Sequence, residues 1–297
     1  MIRLGFPSLV WSLPCRPNRR FRLASYCRAR FLQTVRNNLE CLRETLQYCR
    51  DNGYLFFRVS SDTIPFASHS ICDVDWQREF RSLLRECGQC ALEGGMRIAM
   101  HPDQHVVLNG PDAGVFERSV NELLYHAELL EAMGLGTEHK VQIHVGGGYG
   151  NIPAARDRFA ARYPDLPSAV RERLVIENDD RLFGLGECLR LHHALGMPVV
   201  LDVFHLSIRE PEYAPPTALA HFRATWKASD GPPMLDYSSA EMGKRVGTHA
   251  DAIDMQDFQR FLDLGVEAPL DIMLEIRNKE ASAVLALAEL RKRGLAK

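Results

Sequence analysis

Residues 174–202, LVIENDDRLFGLGECLRLHHALGMPVVLD, hold one repeat of the fold. LVIE is short, apolar and β-branched and reads as a buried strand. Residues 184–196 carry apolar side chains at helical spacing and stop at Gly196, the residue type that best accepts the left-handed turn after a helix. VVLD from Val199 is a second buried strand. A strand, a helix and another fully apolar strand form a βαβ unit, whose strands run parallel.

The same rhythm extends both ways. IRLGF from Ile2, LFFRV from Leu55, RIAM from Arg97 and VQIH from Val141 precede the unit, and MLDY from Met234 and IMLE from Ile272 follow it. Between them, residues 29–51, 76–94, 115–134, 168–172, 214–226 and 255–264 have helical spacing, with glycine stops at Asp51-Asn52-Gly53, Gly94-Gly95 and Gly134. Eight strands in this alternation are the number that closes into a (β/α)₈ TIM barrel, an α/β fold of roughly 250 residues. The 297-residue chain is therefore expected to be one domain, residues 1–297, with no Pro/Gly/Ser-rich linker. A doubly wound open sheet shares the rhythm but does not account for the count.

Hydrophobic residues make up 46% and charged residues 25% of the chain, enough apolar surface for a large core in a soluble protein. The longest apolar runs, such as Met197–Phe204, fall far short of the roughly 20 residues a membrane helix needs. No membrane span is expected, and a cytoplasmic location follows. Eight scattered cysteines in a chain this long argue against a disulfide framework and for a reducing compartment. Cys87 and Cys90 form a CxxC within a helical stretch, without a second pair at zinc spacing, and are expected to be structural thiols.

Net charge is −2, so global charge gives no sign of a nucleic-acid partner. Its distribution differs. Arg3, Arg16, Arg19, Arg20, Arg22, Arg28, Arg30 and Arg36 all precede the first acidic residue, Glu40, so the N-terminal stretch would attract a phosphate-rich ligand. A transit peptide has a similar composition, but Ile2–Phe6 is required as a strand.

Active sites of such barrels lie at the strand C-termini. Six strands end in a potential metal ligand: His101, His144, Glu177, Asp202, Asp236 and Glu275. Three histidines lie on the loops beyond, His69 in IPFASH, His205 in LDVFH and His249 in RVGTHA. Taken singly, each is more simply a hydrogen-bonded structural residue. Nine converging on one rim are not, because burying that many polar groups without compensation costs several kcal/mol apiece. Divalent metal ions compensate them best, and the mixed imidazole and carboxylate set suits zinc, manganese or iron(II). Glu177, between His144 and Asp202 on neighbouring strands, is placed to bridge two ions. Tyr149 follows Gly146–Gly148 in a loop able to bring backbone N–H groups to a substrate anion. His126, His139, His192, His193 and His221 fall within or beside helices and are expected to be packing or surface groups.

The strings RLGFP from Arg3, NRRFRLA from Asn18, FRVSSDTIPFASH, MHPDQH, HVGGGYG, IENDDR, LDVFH, GTHA and MLEIRNKE, in this order, resemble the UV damage endonucleases, themselves similar to the endonuclease IV and xylose isomerase-like barrels. The resemblance covers nearly the whole chain. It implies metal ligands at His69, His101, His144, Glu177, Asp202, His205, His249 and Glu275, with catalysis resting on Glu177, His144, Asp202 and Glu275. Two or three divalent ions are implied, manganese by preference and zinc or cobalt as alternatives. Duplex DNA containing damaged bases is the implied partner, with no obligate protein partner, and the backbone is cut 5′ of UV-type or other base lesions. Two departures fall on strand seven, where the family's histidine ligand is Asp236 and its lysine two residues earlier is Met234. The lesion-probing positions hold Phe6, Val10, Gln104 and His105, and Arg19 and Arg20 would hold phosphates. Other readings of the same barrel are a metal-dependent isomerase or hydrolase of a small sugar-like or phosphorylated molecule, and a protein that binds damaged DNA without cutting it.

Overall fold

Each of the eight apolar runs is a strand in the computed structural model, which describes residues 1–241 and 243–296. The strands are β1 (Ile2–Pro7), β2 (Phe56–Val59), β3 (Arg97–Met100), β4 (Val141–His144), β5 (Leu174–Glu177), β6 (Val199–Asp202), β7 (Met234–Tyr237) and β8 (Leu270–Leu274). They pair in sequence order, all parallel, and β8 returns to β1 to close the barrel. The open-sheet alternative is thereby removed.

The outer layer consists of α1 (Arg28–Asn52), α2 (Trp76–Glu79), α3 (Arg81–Glu93), α4 (Ala113–Met133), α5 (Ile152–Arg162), α6 (Ser168–Arg171), α7 (Leu185–Leu195), α8 (Val203–Arg209), α9 (Pro215–Ala224), α10 (Met255–Asp263) and α11 (Glu280–Lys292). Gly196 ends α7 at φ 74°, as the opening stretch required. Three helices were not evident from spacing. In α5 only Ala155 and Phe159 are buried, so its apolar stripe is thin. The seven-residue α8 is too short for periodicity and is set instead by Asp202, whose side chain accepts from the His205 N–H as its N-cap. The third is α11. The stretch 76–94 is broken at Phe80 into α2 and α3.

The thiols need one correction. Cys15, in the loop after β1, is bonded to Cys41 on α1, with the two Cα atoms 5.8 Å apart. That loop folds back across α1, where Asn38 accepts from the Arg19 N–H and donates to the Arg19 carbonyl, and this brings together two cysteines 26 residues apart. The remaining six are free, Cys87 buried and Cys90 half-buried on α3 as the helical reading of the CxxC required.

Period-two alternation stacks the barrel interior in tiers. Phe56, Ala99, Val175, Val200, Met234 and Met273 form a separate apolar cluster in the middle. Two residues beyond each of them stand Arg58, His101, Glu177, Asp202, Asp236 and Glu275. The polar residues therefore sit above an apolar plug that closes the barrel to water from below.

Candidate metal centre

Glu177 ends β5 with its side chain 1% exposed and has a different neighbour on each oxygen. Oε2 lies 3.2 Å from His101 Nε2 and 3.6 Å from His144 Nε2, and Oε1 lies 3.2 Å from His205 Nδ1. Two groups follow in which every donor atom lies within 4.8 Å of the others: His101, His144 and Glu177 on one side, and Glu177, Asp202 and His205 on the other. The carboxylate is common to both, as a bridge between two ions must be. Ring centroids continue along the rim at 5.2 Å from His101 to His144, 5.9 Å to His205 and 6.1 Å to His249.

Within the two ligand groups, two buried atoms lack hydrogen-bond partners, Asp202 Oδ2 and His144 Nδ1. Leaving a buried carboxylate oxygen unbonded costs more than one kcal/mol, about 1–3 for a neutral group and more for a charge. An ion next to Asp202 would satisfy it, so the donors present fit a divalent metal. Asp202 is held for this by its neighbours. Its Oδ1 caps α8, and Asn178 donates to its carbonyl while accepting from its N–H.

The ionisation states agree. Burial pushes the Glu177 carboxyl up, but His144, His101 and His205 outweigh it and hold it well below the usual carboxylate range. Burial lifts Asp202 well above that range. His205 is disfavoured as a cation by burial, yet Asp202 and Glu177 raise it to about 11. Without metal, a proton shared between Asp202 and His205 answers the charge gathered around Glu177; an ion would take over that role and release it.

The remaining expected ligands are less closely gathered. His249 lies 3.6 Å from Glu275 Oε2 and donates to the Glu275 carbonyl through Nδ1. His69 is exposed and its Nδ1 accepts from the Ile71 N–H. Asp236 is a correction. Both its oxygens are taken by Arg58 Nη2, at 2.8 and 2.7 Å, and Oδ2 also accepts from Gln142 Nε2 at 2.6 Å, so it belongs to neither ligand group. Gln142 donates to Glu177 Oε2 as well. Arg58, Gln142 and Asn178 were missed by ligand-type reasoning. The available signal was periodicity, since Arg58 and Gln142 are polar residues inside otherwise apolar strands.

The substrate-reading positions need a second correction. Phe6 is completely buried, its ring 5.3 Å from Tyr54 and 6.0 Å from Phe57, and Val10 is buried too. Neither presents a surface to a base. Gln104 and His105 are exposed on the loop after β3. Tyr149 is 50% exposed, with the Arg158 guanidinium 5.4 Å from its ring. Its loop turns at Gly146, at φ 116°, where a Cβ would come within 2.4 Å of Asn109 Oδ1. A cleft of about 360 Å³ runs from His101 and His144 past Gln104 and Tyr149 to Arg181 and His205. A larger cavity, of about 570 Å³, lies among α8, α9 and α10 and touches none of the clustered imidazoles or carboxylates. Arg19 and Arg20 are exposed, Arg20 3.6 Å from Asp62 just beyond β2. Of the histidines assigned to packing, His126 is buried on α4 and bonds Ser61 Oγ, whose hydroxyl donates to the His101 carbonyl.

The sequence model of the UV-endonuclease UvdE family matches residues 3–295. The chain belongs to that family. Among curated UvdE relatives, the UV DNA damage endonuclease of Clostridium perfringens is 31% identical over 98% of this chain and 71% of its own length. That of Bacillus pumilus is 30% identical over 87% of this chain and 81% of its own. The crystal structure of SacUVDE superposes with a TM-score of 0.95 at 39% identity, covering 99% of both chains. Endonuclease IV from Thermus thermophilus, at 17% identity and TM-score 0.61, and an L-ribulose 3-epimerase, at 19% and 0.60, share the barrel alone. As a UvdE member the chain is an endonuclease of the UV-damage class and acts on DNA. No helix among the described residues is long and apolar enough to cross a membrane.

Proposed function

We propose that this endonuclease cuts the phosphodiester backbone immediately 5′ of UV-induced or other damaged bases in duplex DNA, using divalent ions, with one barrel domain carrying the whole activity. The observation that carries this reading is the Glu177 carboxylate, with imidazoles on both oxygens and a buried unbonded Asp202 oxygen beside it. His101, His144, Glu177, Asp202 and His205 would hold the metal, with His69, His249 and Glu275 as the further expected ligands. Manganese is the first choice, with zinc or cobalt as alternatives. Bound there, such ions lower the pKa of water and neutralise charge on the phosphate. No protein nucleophile is required.

The chain's own groups orient the substrate. Gln104 and Tyr149 line the cleft, with His105 exposed next to Gln104 in sequence, and they can stack on or fill in beside a displaced base. In place of the buried Phe6, Trp11 is the exposed aromatic of the β1 loop, 53% exposed and anchored by its indole N–H to the Arg277 carbonyl. Arg16 lies 5.1 Å from its ring, so a base stacked there would meet a cation as well. Arg19 and Arg20 supply phosphate contacts.

The test is incision of an end-labelled duplex carrying one (6-4) photoproduct, with manganese, beside an undamaged duplex and an EDTA control. Metal-dependent cutting at the 5′ side of the lesion is expected. Folded, metal-loaded protein that fails to cut with any divalent ion would move the reading to a small-molecule enzyme. Losing Arg20 should lower the salt slope of DNA binding by about one, measured by titration at several salt concentrations. An unchanged slope would remove Arg20 from the DNA contact.

A further inference from the structure

The carboxylates above the apolar plug are not all open to metal. Arg58, on β2, reaches across the barrel. Its Nη2 donates to both oxygens of Asp236 on β7 and, at 3.0 Å, to Gln142 Oε1 on β4, and its Nη1 donates to Glu275 Oε1 after β8. The Arg58 and Asp236 side chains are 6% and 0% exposed, so solvent does not screen this pairing. Both Asp236 oxygens and one Glu275 oxygen are therefore engaged by N–H donors. Glu177 and Asp202 differ, for the two groups with metal-ligand geometry both contain Glu177, and neither contains Asp236 or Glu275.

A guanidinium stays protonated in any protein environment and fits carboxylates with a fixed fork of donors. Here it sits among carboxylates in the way a bound cation would. We infer that Arg58 is a resident cation of the centre, occupying Asp236 and Glu275 and limiting the site to two divalent ions, one on each side of Glu177. The inference rests on reading the rim as a metal centre. Charge balance agrees. Glu177, Asp202, Asp236 and Glu275 with Arg58 and two divalent ions leave a single surplus positive charge, which one phosphodiester cancels. A third ion would leave three such charges in a site closed from below. Met234 fits as well. It is completely buried in the apolar tier two residues before Asp236 and offers no further ligand on β7.

The test strips the full-length protein with chelator, reloads it with manganese, removes the excess and counts metal per chain by mass spectrometry. Anomalous diffraction at the manganese edge then locates the ions. Two ions per chain are expected, both touching Glu177 and neither touching Asp236. Any other count, or an anomalous peak bound to Asp236, overturns the inference. Three ions would leave the metal reading of the rim intact, whereas none would overturn both. Arg58→Gln combined with Asp236→His removes the guanidinium and supplies a free ligand, and should take up a third equivalent. Arg58→Lys keeps a cation and should stay at two. A folded double variant that stops at two shows that Arg58 does not set the limit, and also overturns the inference. Should the double variant not fold, the wild-type count and the anomalous map decide.

Discussion

At the N-terminal end of the barrel interior, Asp271 on β8 is completely buried and receives three charged N–H bonds, from Arg3 Nε at 2.6 Å, Arg3 Nη2 at 2.8 Å and Arg97 Nη1 at 2.7 Å. At the C-terminal end, Asp202 on β6 is equally buried, but one of its oxygens has no hydrogen-bond partner and its nearest basic neighbour is an imidazole. The two carboxylates pose the same desolvation problem. The floor solves it within the protein, through Arg3, Arg97 and, alongside, Lys140 bonded to Asp230 at 2.7 Å. The rim leaves part of it open, so that an ion from solution would complete it. A buried charge fully met by its own chain contributes to folding, whereas one left partly unmet marks a binding site. Arg58, Asp236 and Gln142 form an intermediate tier, bonded to one another as the floor groups are but placed at the rim.

This contrast can be broken from either end. Glu177→Gln should cost the largest effect, about a thousand-fold in incision rate, since metal catalysis is worth several kcal/mol at about 1.36 kcal/mol per tenfold. Urea unfolding of the metal-free variant should show stability no higher than wild type, because the histidines that hold Glu177 ionised lose their partner. A variant that keeps its activity would separate Glu177 from the chemistry. Asp271→Asn should do the reverse. It strands two guanidinium groups at the floor and should lower stability by about 3 kcal/mol in the same titration. Its folded fraction should incise at the wild-type rate. Loss of activity out of proportion to unfolding would show that the floor and rim are coupled.

The smallest effect is in pH. His139, at the floor, is 3% exposed and accepts a hydrogen bond from the Ile98 N–H on Nδ1 at 2.9 Å. Burial lowers it to about 4, against the pull of Glu138. The unfolded histidine titrates near 6.5, so below that pH the unfolded chain binds more protons than the folded one. Stability conferred by the neutral imidazole is complete above pH 6.5 and lost as pH falls towards 4, by about 2 kcal/mol at pH 5 at 1.36 kcal/mol per unit. His139→Gln should flatten the stability curve between pH 6.5 and 4, measured by denaturant midpoints at fixed salt. An unchanged curve would place that titration elsewhere.

The barrel and most of its rim were legible because both depend on local regularities. Strands such as VQIH and LVIE are fully apolar on the face towards the helices, and their inward-facing residues repeat every second position, so the ligand-type residue at each strand end could be assigned to the rim before closure was known. Short α8 was not legible, because its start is fixed by the Asp202 cap instead of by periodicity. Trp11 and Phe6 are both aromatic residues near the end of β1, and only packing distinguishes the exposed ring from the buried one.

By itself the sequence determined eight strands, their order, and the residue types arriving at the catalytic end. Those are set by hydrophobic period and by chain distances of a few residues. Only the closed barrel decided which of those residues satisfy one another. Arg58 meets Asp236 across 178 positions of sequence, and Cys15 meets Cys41 where a loop folds back over a helix. Such pairings depend on which side chains closure brings within a few ångströms, and no local pattern records that.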